Sequence, residues 1–120
     1  MKIMICESEE VLLMAIEFRL RKQGYEVMIC KKDQDVARTA VLENPDIVLI
    51  DLDSNEGKGL ELVDQVKTAR PKVGVLLLAD PDEGEPIIKG YEVGIQDFIS
   101  KPFKPAELLI RVQRIADVLS

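Results

Sequence analysis

The chain has 120 residues, 47% hydrophobic and 32% charged, with a formal net charge of −6, which fits one folded domain rather than a disordered or membrane-embedded segment. It contains no histidine, which excludes Ser-His and Cys-His triads and the usual zinc sites, and the acidic balance argues against this segment gripping nucleic acid by itself. No apolar run approaches ~18 residues, the N-terminal MKIMIC stops at Glu7, too short for a signal-peptide core, and Cys6 and Cys30 make no disulfide framework, so a reducing cytoplasm is the expected setting.

Short β-rich runs alternate with amphipathic stretches along the chain. Ile3–Cys6 reads as the first strand. A helix from about Glu9 to Lys22 follows, with Ser8 as its expected N-cap, acids at its start, and Arg21, Lys22 and Gly24 at its end. Glu26–Cys30 reads as the second strand, and a helix from Asp35 to Glu43 stops before Pro45. Ile47–Ile50 and Val73–Leu78 are almost purely apolar, as suits parallel strands covered on both faces. Between them a helix runs from Leu60 to Ala69 and stops before Pro71. Asp80–Pro86 reads as an acidic surface loop, and a weaker helix covers roughly Glu85 to Val93, ended by Gly94. Asp97–Ile99 is the fifth strand, and the last helix starts at Pro105, a favourable first helical position.

Five βα units predict one α/β domain over residues 1–120, a doubly wound, flavodoxin-like parallel sheet, because right-handed crossovers place helices on both faces. In such sheets the working site lies beyond the carboxyl ends of the strands. Glu7 follows strand one, Asp51 ends strand three and Lys101 follows strand five. With strand order 2-1-3-4-5 the three converge. Two carboxylates and an ammonium suit a divalent cation and a phosphoryl group, and a carboxylate can itself be the nucleophile that forms an acyl phosphate. Each residue taken singly also has a plainer reading: a solvated Glu, an Asp capping a turn, a surface Lys.

The stretches KIMICESEE, PDIVLIDLD, YEVGIQDFISKPF and KPAELLIRVQRI together resemble the receiver domain of two-component response regulators along the whole chain. The resemblance implies a phosphoryl group received from a sensor histidine kinase with Mg²⁺ assisting, and a signalling domain rather than an enzyme. It makes Asp51 the phosphoacceptor and Lys101 the phosphoryl-pairing lysine. Glu7 becomes the first acid of the metal pair, Asp51 a further metal ligand, and Asp53 the residue whose backbone carbonyl contacts the metal. It also implies a cis Lys101-Pro102 peptide.

Several positions depart from that pattern. Ser8 stands where the second acid belongs, and a hydroxyl is a poorer Mg²⁺ ligand than a carboxylate. Leu78 stands where a Thr or Ser hydroxyl would bond the phosphoryl oxygen, while Ala79 keeps the small residue beside it. Asn55 and Lys58 replace a Pro and an Asp of the following loop. The expectation is a degenerate pocket: Mg²⁺ binding weakened or absent, and phosphorylation uncoupled from loop movement. Phe98 falls at the switch-aromatic position, and its expected role is permanent core.

Glu107 and Arg111, four apart, share a helix face. With Lys89 and Asp97 they match the charge pattern of the face formed by the fourth helix, fifth strand and fifth helix in the OmpR/PhoB-like subfamily. There Lys89–Glu107 and Asp97–Arg111 pairs would cross a twofold homodimer interface, serving a separate DNA-binding effector domain outside these residues. The alternative is a pseudo-receiver, a phosphorylation-independent interaction module. A flavin- or nucleotide-binding enzyme is disfavoured: the loop Glu7-Ser8-Glu9-Glu10 is acidic and lacks glycine.

Overall fold

The computed structural model describes residues 1–7, 9–31, 35–53 and 57–119. The order of elements is β1 (Lys2–Cys6), α1 (Glu10–Lys22), β2 (Glu26–Ile29), α2 (Val36–Glu43), β3 (Ile47–Asp51), α3 (Gly59–Ala69), β4 (Gly74–Ala79), α4 (Gly84–Val93), β5 (Asp97–Ser100) and α5 (Pro105–Leu119). The five strands form one sheet in the order β2-β1-β3-β4-β5, and every pairing is parallel. This is the expected doubly wound architecture.

The apolar runs are continuous because β3 and β4 are buried along their whole length. Side chains alternate between the two faces. Val75, Leu77 and Ala79 point into a cluster with Ala40, Val63, Val66 and Ile87, under α2, α3 and α4. Leu76 and Leu78 point into the opposite cluster with Ile16, Leu20, Leu108 and Val112, under α1 and α5. The apolar stripes on the helices therefore select which face each covers.

Some boundaries differ from the sequence reading. β3 runs one residue further, because Asp51 pairs in register with Leu78 although aspartate is a poor strand former. The N-cap of α1 is Glu9, whose side chain makes no capping bond; the expected cap Ser8 lies outside the described residues. Asp80–Pro86 is a loop only in its first part, since α4 already starts at Gly84. Gly59 opens α3 against the end of β3: a Cβ there would lie 2.5 Å from both Cα and O of Leu52, so only glycine admits this approach.

Candidate functional site

Three strand ends meet at one rim. Asp51 is 3% exposed and is the only charged or polar side chain classed as buried among the described residues. A buried carboxylate is costly unless paired and hydrogen-bonded, and this one is both. Its Oδ1 accepts from the backbone N–H of Asp53 at 2.9 Å. Its Oδ2 forms a short charged contact with Lys101 Nζ. Lys101 is set in place by its own N–H, which donates to the carbonyl of Ala79 at 2.8 Å, and the Lys101-Pro102 peptide is cis.

Glu7 completes the cluster. Its Oε1 accepts from the N–H of Glu9 at 3.0 Å, and its carboxyl lies beside that of Asp51. Burial, and then the neighbouring Asp51 carboxyl, push Glu7 up to about 7. Burial alone would raise Asp51 as well. Hydrogen bonds from Glu7, Lys101 and the Asp53 backbone outweigh it and hold Asp51 below the usual range. The Asp51 carboxylate in turn overcomes the effect of burial on Lys101 and raises it. The three groups thus titrate as one interacting unit, with Lys101 and Asp51 as its ion pair. Two carboxyl groups side by side at a buried rim form a donor set that a divalent cation fits, since its charge would offset their mutual repulsion.

Asp53 lies at the edge of this group rather than inside it. Its side chain is 55% exposed, with Oδ2 4.0 Å from Lys101 Nζ. One carboxylate oxygen each of Asp53, Asp80 and Glu83 lie within 4.8 Å of one another, and Glu83 also accepts from the N–H of Asp80 at 2.9 Å. The sequence reading did not single out Asp80 and Glu83 as members of the site. The signal was their position directly after β4, at the same end of the sheet as Asp51. A shallow cavity of about 360 Å³ beside the rim is lined by Glu9, Leu12, Asp80, Lys101, Pro102 and Phe103.

Leu78 and Ala79 are buried, at 1% and 0% exposure, and the Leu78 side chain lies among the α1/α5 apolar cluster. Phe98 is half-buried, not fully core. Its ring meets Tyr91 edge-on, with centroids 6.2 Å apart, and Tyr91 is itself 46% exposed. Ser8 and Asn55 lie outside the described residues.

On the second face, Arg111 Nη1 donates to both carboxylate oxygens of Asp97, at 3.0 and 2.9 Å. Its Nε lies 3.4 Å from Glu107. The Asp97–Arg111 pair expected between two copies is made within one chain. Lys89 is exposed on α4, with no ion pair among the described residues.

Residues 3–113 match the family described as the response regulator receiver domain. The chain is 28% identical over 114 residues to the alkaline phosphatase synthesis transcriptional regulatory protein PhoP of Bacillus subtilis (strain 168), covering 95% of this chain and 48% of that protein; it spans about half that relative's length. Among solved structures, the receiver domain of the sensor histidine kinase PA1611 from Pseudomonas aeruginosa PAO1 superposes with TM-score 0.81 at 26% identity. The match covers 96% of this chain and 97% of that one, and that structure holds a magnesium ion coordinated in its active site cleft. A CheY-like receiver domain protein from Methanospirillum hungatei JF-1 superposes with TM-score 0.86 at 22% identity, covering 98% and 94%, a likeness of fold.

Proposed function

The chain belongs to the response regulator receiver domain family of two-component signalling, and from that premise we propose that Asp51 accepts a phosphoryl group from a sensor histidine kinase. The observation that carries this reading is the buried Asp51 carboxylate, bonded to Lys101 and flanked by Glu7 at the carboxyl end of β3. An Asp51 oxygen attacks phosphorus, the bond to the donor nitrogen breaks, and an acyl phosphate forms. Lys101 Nζ moves from the Asp51 oxygen to a phosphoryl oxygen and compensates its charge. The domain acts as a phosphoacceptor, not as a multiple-turnover enzyme.

Mg²⁺ would be held by Glu7, Asp51 and the Asp53 backbone carbonyl, and when bound it screens the negative charge between carboxylate and phosphoryl oxygens. With Ser8 in place of a second acid, we infer weakened Mg²⁺ binding. Leu78, among apolar side chains, offers no hydroxyl to a phosphoryl oxygen. Phosphorylation then shifts the Phe98 and β4–α4 region weakly, because a ligand moves a population only through contacts that differ between states.

The output we propose is homodimerisation through α4, β5 and α5, passed to a separate DNA-binding effector domain, as the PhoP relative suggests. Ile88 and Tyr91 are exposed on α4, beside the Asp97, Glu107 and Arg111 network. In a dimer Arg111 exchanges its Asp97 for the partner's. Replacing Arg111 by Glu is expected to weaken self-association at least tenfold, on the order of 1.4 kcal/mol, by sedimentation; an unchanged dimer constant removes this interface.

The phosphoacceptor reading is tested by incubating the protein with acetyl phosphate and Mg²⁺ and measuring intact mass. One phosphoryl adduct, lost in Asp51→Asn, is expected. Dimerisation without any adduct favours the phosphorylation-independent alternative, which the absent switch hydroxyl at Leu78 keeps in view.

A further inference from the structure

β1 and β2 pair with Lys2 opposite Glu26 and Ile5 opposite Ile29. The ladder continues past the last assigned pair: the N–H of Cys30 donates to the carbonyl of Ile5 at 3.0 Å. Cys6 and Cys30 therefore stand directly opposite each other, and both side chains enter the same apolar cluster, next to Met4 and Met28. Both are thiols, 5% and 4% exposed. Neighbouring strands run about 4.8 Å apart, which falls inside the Cα separation of roughly 4.4–6.8 Å that a disulfide spans. The two residues are the last of β1 and the first after β2, so the pair sits at the rim, where the backbone is less constrained than in mid-sheet.

We propose that Cys6 and Cys30 are a modification site, a cross-strand dithiol that a small hydroperoxide converts to an intramolecular disulfide. Burial sets the class of oxidant: sulfurs this enclosed exclude bulky disulfides and admit a small peroxide. Cys30 is the first to react. It lies where the chain leaves the sheet, with its sulfur 4.0 Å from the Lys31 carbonyl oxygen. The Cys30 thiolate attacks a peroxide oxygen. A sulfur–oxygen bond forms and the O–O bond breaks. The released alkoxide or hydroxide takes up a proton and leaves as alcohol or water, and the sulfur is oxidised to a sulfenic acid. Cys6 then attacks that sulfur. The S–S bond forms, the S–O bond breaks, and the hydroxyl leaves as water with the proton of the Cys6 thiol. The net change is two thiols oxidised by two electrons and one peroxide reduced. The site is independent of Asp51 and of any phosphoryl transfer.

The test treats the folded protein with hydrogen peroxide, quenches with catalase, unfolds it, and alkylates with a maleimide before intact-mass measurement. The expected product is monomeric, lighter by two hydrogens and without maleimide; dithiothreitol restores two adducts. Cys6→Ser is expected to leave a Cys30 sulfenic acid that dimedone captures, and Cys30→Ser to leave Cys6 fully alkylated. Two maleimides on the treated wild-type chain, sulfinic or sulfonic products, or a disulfide-linked dimer would each overturn the proposal. The wild-type measurement decides the matter even if neither variant folds.

Discussion

The rim and the α4-β5-α5 face carry the same kinds of groups, yet burial makes them behave differently. At the rim, Asp51 and Lys101 have side chains 4% and 23% exposed, and burial, then the neighbouring Asp51, raises the pKa of a second acid, Glu7. On the face, Asp97 and Arg111 are 21% and 31% exposed and Glu107 46%. Low dielectric amplifies every charge term at the rim, whereas water and salt mute them on the face. The rim is therefore poised to react to a new charge, and the face to exchange partners at small cost.

The largest effect expected is structural. Gly59→Ala forces a methyl group into the backbone of Leu52, one residue beyond Asp51, and should destabilise the domain by about 3 kcal/mol in urea unfolding. A net gain in stability, as the ~1 kcal/mol preference of a helix for Ala over Gly would give in open space, would mean that α3 is not pressed against the rim. Next comes Lys101→Ala, which leaves Asp51 buried without its cation. A loss of about 2 kcal/mol is expected, below the ~3–5 kcal/mol of a fully buried broken pair because the lysine is partly exposed. Arg111→Ala, the matching change on the face, should cost less than about 1 kcal/mol. Equal losses for the two would erase the contrast.

The rim also predicts a pH dependence. Glu7, at about 7 in the fold, lies above its unfolded value of about 4.3. Between these values the folded state binds more protons than the unfolded one, so stability falls as pH rises through that window. Asp51 is displaced the other way and acts only at the acid end. In a chelator, thermal unfolding is thus expected to occur at progressively lower temperature from pH 5 to pH 8, and Glu7→Gln to flatten the slope. A slope unchanged by Glu7→Gln would assign the window to another group.

Much of this was legible in the chain. Periodicity and the two apolar runs give five strands and five helices, and the known geometry of doubly wound sheets brings Glu7, Asp51 and Lys101 to one rim. What escaped were features set by tertiary contact. Asp51 belongs to β3 because Leu78 lies across from it, against its own propensity. Asp80 and Glu83 looked like loop acids until the turn after β4 folded them toward Asp53. Spacing showed that Glu107 and Arg111 share a face, but not that Arg111 reaches Asp97 within the same chain. Nor could pattern alone make Cys6 and Cys30 opposite partners; that depends on the register of β1 with β2.

The central claim, that burial couples Glu7, Asp51 and Lys101 into one charge unit, is most directly tested by titrating the Glu7 side-chain carboxyl by carbon NMR in chelator. The account predicts an inflection near 7 that moves to lower pH in Asp51→Asn, where the neighbouring negative charge is removed. An inflection in the ordinary glutamate range in the wild-type protein, or one that Asp51→Asn leaves in place, would contradict it.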